Sequence, residues 1–247
     1  MNWQALDLTI LGPAFIAGLL VLATHVPLGR QVLARGIVFL DLAIAQIAGL
    51  GLIAAHAIGW EMASWQMQLI ALLSAALGAL LLAWSDKRWP EIQEALIGTV
   101  FVLASSGAIL LLATDPHSGE YLKELLAGQI LWVSYEQLGP VALLYAAVLL
   151  LMRRYARRDP RAFYLLFAVA VTASVQLVGL YLVFASLIIP ALAVRTRPHH
   201  AGQFALLIGA VGYLLGLIAS ALFDLPAGPA VVWMLAASAV IGRLLLR

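Results

Sequence analysis

Between Phe163 and Val194 the chain carries no Asp, Glu, Lys or Arg, and similar uncharged apolar stretches recur from Leu8 to the end. Inside a bilayer the backbone N–H and C=O groups find no water. A crossing segment must therefore satisfy them internally, as an α-helix or within a closed barrel. Barrel strands alternate apolar and polar side chains at a period of two. These stretches do not alternate, so helices are expected. Composition supports a lipid solvent: 64% of the 247 residues are apolar and 11% charged, where a soluble domain carries about 25% charged residues. Mean hydropathy is +1.02. The expected fold class is all-α, a polytopic transmembrane helical bundle with about eight or nine spans and one broken helix. Residues 1–247 form a single transmembrane domain in this reading.

The spans are expected over Leu8–Leu28, Ile37–Gly59, Gln66–Trp84 and Ala95–Ala113, then in a fifth that starts between Ile130 and Gln137 and ends near Met152. Two more cover Gln203–Leu222 and Ala230–Leu246. The segment from Phe163 to Val194 exceeds the roughly 20 helical residues that cross a bilayer core. It is expected to break around Gln176 to Gly179 into one span and a second or partial span. Charge supports this division. With the N-terminus outside and 163–194 counted as two passes, every arginine falls on one side and Lys123 is the only base opposite. That places the basic loops, the Arg195 turn and the C-terminus in the cytoplasm. No signal-peptide pattern is present, so the first span is expected to direct insertion.

Several chemistries lose support at once. There is no cysteine, hence no disulfide and no thiolate metal site. No G-x-x-x-x-G-K-[ST] phosphate loop, H-E-x-x-H or G-x-S-x-G occurs, so no ATPase, protease or hydrolase motif supports an enzyme. The net charge of +2 comes with arginines in short loops and gives no case for nucleic acid.

Asp41, about one turn inside the second span, is the sharpest candidate, with Gln46 and His56 further along the same segment. A carboxylate within a span costs several kcal/mol unless it faces protein, water or a cation. One reading makes it a cation or proton station. The other makes it a helix-start carboxylate bonded to nearby amides. His25 reads as an interface residue before a ligand, and His199 and His200 as a solvated turn. Asp115, His117 and Glu120 form an outer-loop cluster that is polar as loops are. Gly212, Gly216 and Ser220 have the small-xxx-small spacing that lets helix backbones approach.

The stretch VQLVGLYLVFASLIIPALAVR, from Val175 to Arg195, resembles the metal-type ABC transporter permeases, the membrane subunits of zinc, manganese and iron importers. DLPAGP, from Asp224 to Pro229, resembles their Asp-x-Pro-x-Gly-Pro turn. The region from EALIG, at Glu94, to LAGQIL, at Leu126, resembles their middle portion, and GIVFLDLA, from Gly36 to Ala43, their Gly-Asp-Ala-Leu-Ser-His segment. The resemblance implies a fold similar to the cobalamin and siderophore importer permeases, working as a homodimer in the plasma (inner) membrane. It implies an ABC ATPase docked on the turn around Ala193, Arg195 and Arg197, an external metal-binding protein, and transported Zn2+ or Mn2+ as substrate. Of the family's metal motif only Asp41 carries over, since the histidine four residues on is Ala45. The acidic cytoplasmic segment is shortened to Arg153–Arg161. The expected function is a gated path for a divalent transition metal. The rivals are an ATP-independent secondary transporter and a non-transporting membrane scaffold.

Overall fold

The computed structural model describes residues 7–57, 64–111, 130–155, 159–196 and 200–245. Among them are nine α-helices and no strand: α1 (Leu8–Arg35), α2 (Leu40–Ala57), α3 (Ser64–Arg88), α4 (Gln93–Leu111), α5 (Tyr135–Tyr155), α6 (Pro160–Val178), α7 (Leu180–Ala193), α8 (Ala201–Phe223) and α9 (Ala227–Leu245). Short 3-10 turns, Pro90–Ile92 and Ile130–Trp132, precede α4 and α5. Seven of these helices are long and apolar enough to cross a membrane, while α2 and α7 are shorter apolar helices. The all-α polytopic class is thus as expected.

Several ends differ from the sequence reading, each for a local reason. Asp7 starts α1 by accepting the Thr9 N–H (2.8 Å) and hydroxyl (2.7 Å), and these bonds hold its carboxyl below the usual carboxylate range. The helix does not stop at Leu28. It carries Arg30 and Arg35 as helical residues and ends only at Gly36, whose φ of 71° is the left-handed stop that glycine takes freely. Likewise α3 runs past Trp84 to Arg88, ahead of Pro90. The supposed basic turn after α5 is largely helical. Arg153 and Arg154 lie in its last turn, and Asp159 caps α6 by accepting the Arg161 N–H at 2.9 Å. Arg157 and Arg158 lie outside the described residues.

The break between α6 and α7 is a single residue. Gly179 has φ 85° and ψ 161°, a region that only glycine visits without strain. Its N–H still bonds Val175 O at 2.9 Å, and its own carbonyl receives the Val183 N–H at 3.1 Å. The hydrogen-bond ladder of α6 thus reaches Gly179, and that of α7 starts from its carbonyl. Gln176 is an exposed residue within α6 and takes no part in the break.

The chain divides into two compact units. The first comprises residues Met1–Arg35, Glu124–Ala146 and Ser174–Arg247. In it α1 packs on α7 and α8, and α9 on α8 and α7. Small residues set these approaches. A Cβ on Gly29 of α1 would fall on the Leu187 carbonyl oxygen, one on Gly212 would lie 2.7 Å from Leu235 Cα, and one on Gly216 would meet Val231 Cα. Tyr213 is fully buried and its hydroxyl lies 2.8 Å from Ser186 Oγ, which also donates to Leu182 O. We expect Gly216→Ala to lower the melting midpoint of the purified protein in detergent, since forcing apart backbones in a packed interface costs about 1–3 kcal/mol. Gly139→Ala should leave the midpoint unchanged or raise it slightly, because nothing lies within 4 Å of its would-be Cβ. Equal midpoints for the two variants would contradict the α8–α9 packing.

The second unit comprises Gly36–Lys123 and Ala147–Ala173. Here α2 is flanked by α3 and α4, with Gly78 against Ile47 and Gly51 against Ser74. Gln93 ties the start of α4 to the end of α3. Its Oε1 accepts the Ser85 hydroxyl at 2.9 Å, and its Nε2 donates to Leu82 O at 2.9 Å and to Tyr164 Oη at 3.2 Å. Gln93 is 3% exposed, so this node holds the residue after it in a defined place.

Candidate ion site

Asp41 lies in the first turn of α2, where the positive end of the helix dipole favours a carboxylate. It is fully buried, and among the described residues neither carboxylate oxygen meets a hydrogen-bond partner at full geometry. Buried polar groups are nearly always bonded, so two orphan oxygens on one acid call for an explanation. Glu94 lies in the first turn of α4, directly after the Gln93 node. Its Oε1 accepts the Phe39 N–H at 3.3 Å. Its Oε2 is buried without a hydrogen-bond partner among the described residues. Two carboxylates thus converge at the N-termini of two packed helices, with three buried oxygens unsatisfied. A groove of about 580 Å³ lies along α2 and α4, lined by residues that include Phe39, Leu42, Ala95 and Phe101, and neither Asp41 nor Glu94 is part of its lining.

The other residues singled out in the sequence are not gathered here. Ala45 is buried one turn beyond Asp41, at a spacing that shares its helix face. Gln46 is half-buried and points about 140° around the helix from Asp41 at 3.6 residues per turn. His56 is in the last turn of α2, about 22 Å along the axis at 1.5 Å per residue, and its side chain lies outside those described. His25, on α1 in the first unit, is fully buried. Its Nδ1 is 3.0 Å from Val21 O and its Nε2 has no partner. His200 is exposed, with Nδ1 3.0 Å from Gln203 Oε1 at the start of α8. Among the described residues no group of three or more His, Cys, Asp or Glu could hold a metal ion. Asp115, His117, Glu120, His199 and Arg197 lie outside the described residues. Of the remaining turn after α7, Ala193 is buried and Arg195 exposed.

Glu94 is the site residue that sequence reading passed over. A span beginning at Ala95 leaves it in the polar turn. The signal available was an acid directly before an uncharged apolar stretch that follows the Pro90 turn, the same position that Asp41 holds in α2.

The model of the ABC 3 transport family matches residues 7–159 and 160–245. The fold is similar to the solved PsaBC from Streptococcus pneumoniae in complex with Fab, with TM-score 0.70 and 23% identity over 94% of this chain and 90% of that one. It is also similar to an inward-facing conformation of a metal-chelate type ABC transporter, with TM-score 0.63 and 20% identity over 95% of this chain and 83% of that one. No curated relative matches the chain.

Proposed function

The chain belongs to the ABC 3 transport family, and from that premise we propose that it is the permease subunit of an ATP-driven importer for a divalent transition metal, zinc or manganese. The observation that carries this reading is the pair of orphan oxygens on fully buried Asp41. Such a group is costly in a static scaffold and useful in a path that passes a cation. The chain carries no phosphate loop of its own, so the energy comes from a separate ABC ATPase on the cytoplasmic side. The exposed Arg195 turn after α7 is the surface proposed for its docking. An external metal-binding protein delivers the ion, two copies of the chain form the path, and the basic loops face the cytoplasm of the plasma (inner) membrane. Rocking of paired permeases between inward and outward openings is the motion such an assembly uses.

Deleting the gene should lower cellular zinc or manganese under chelation, read by mass spectrometry, and the intact gene should restore it. Unchanged zinc, manganese and iron contents would remove the metal reading and leave only the family fold.

A further inference from the structure

We propose that Glu94 is a positioning residue: reaching across from α4, its carboxylate caps the start of α2 and so holds the turn that carries Asp41. The cap rests on geometry; its effect on transport rests on the transporter reading above.

The sequence around the start of α2 supplies no cap of its own. The Phe39 carbonyl accepts the Ala43 N–H at 3.1 Å, which makes Phe39 the N-cap residue and Leu40 the first helical one. Ser, Thr, Asp or Asn side chains usually fill that position and accept an amide hydrogen, and a phenyl ring cannot. The other local device is a Glu or Gln three residues on that bonds back to the N-cap N–H. Here that residue is Leu42.

Glu94 supplies the missing bond from another helix. Its Oε1 accepts the Phe39 N–H at 3.3 Å, the same donor that a local capping glutamate would take. Its own place is fixed by the residue before it. Gln93 is 3% exposed and bonds Leu82 and Ser85 of α3 and Tyr164 of α6. The anchorage of α4 thus reaches the first turn of α2 through one side chain. The carboxylate also lies at the positive end of the α2 dipole. Helix ends fray where their amides go unbonded. Asp41 is two residues beyond Phe39 and fully buried, so fraying of this turn moves it directly. Glu94 acts through that turn and not through contact with the cargo.

The test compares Glu94→Ala, Glu94→Gln and Asp159→Ala in the full-length chain. Backbone hydrogen exchange over residues 39–43 is read in detergent, and uptake of zinc and manganese in cells at equal membrane abundance. Glu94→Ala should speed that exchange about fivefold, the usual effect of losing a cap. It should lower uptake about tenfold, as loss of a residue that supports a metal ligand does. Glu94→Gln keeps an acceptor oxygen for the Phe39 N–H and should match wild type in both readings. Asp159→Ala removes the cap on the Arg161 N–H of α6. Its melting midpoint should fall like that of Glu94→Ala while its uptake stays at the wild-type rate. Unchanged exchange in Glu94→Ala would overturn the cap and leave the transporter standing. Unchanged uptake in that variant, lost uptake in Glu94→Gln, or equal loss in Asp159→Ala would overturn the positioning role. If wild type transports no metal, the transporter reading fails, and exchange over 39–43 decides the cap by itself.

Discussion

Gly179→Ala should lower the melting midpoint of the purified protein and reduce metal uptake, whereas Gln176→Ala should change neither. Gly179 joins α6 to α7 at φ 85° and ψ 161°. A side chain held there costs about 1–3 kcal/mol in backbone strain, or roughly 2–12 °C for a chain of this size. Relief would require φ to turn negative. That would let α6 run straight into α7 and carry Ser186 and Leu187 away from their partners, Tyr213 and Gly29. Gln176 is an exposed helical residue, and substitutions of that kind stay within about 0.5 kcal/mol. Thermal melting of the two variants in detergent checks the first part, and uptake at equal membrane abundance checks the second. A Gly179→Ala protein as stable as wild type would mean that the joint is not strained as described.

Asp41→Asn separates the two readings of Asp41 by the sign of its effect. If the carboxylate serves only as a helix-start acid, losing its charge removes about 0.3–1 kcal/mol of dipole interaction. The midpoint then falls slightly and uptake persists. If it is a station kept vacant for an ion, the empty protein bears the cost of a buried acid short of partners, about 1–3 kcal/mol even when it takes up a proton. Asparagine is nearly the same shape and uncharged. It should leave the midpoint unchanged or raise it while growth under chelation is lost. Melting in detergent and growth under chelation, read together, decide between the two outcomes.

The class of fold was legible because long uncharged apolar segments admit few alternatives, and the interruption at Gly179 was legible because the stretch from Phe163 to Val194 is too long for one span. Helix ends were less so. Hydropathy stops at Leu28 and Trp84, but backbone hydrogen bonding continues until Gly36 or Pro90 ends it. Asp41 stood out as an isolated acid in an apolar stretch. Its partner did not, because Glu94 sits 53 residues away in sequence (94 − 41), and only the packing of α4 on α2 brings the two first turns together. Gln46 and His56 were grouped with Asp41 for lying in one span, yet helical rotation and rise separate them from it. The gathering of donors is a property of tertiary packing, and pattern within one helix does not carry it.

The most direct test of the central claim is the initial rate of radiolabelled zinc and manganese uptake by energised cells that carry the intact gene, the deletion, or Asp41→Asn at equal membrane abundance. The intact gene should give uptake of one of these metals that energy depletion abolishes, and the deletion and Asp41→Asn should both lack it. Uptake by Asp41→Asn at the wild-type rate, or uptake that survives energy depletion, would contradict a path through Asp41 driven by ATP.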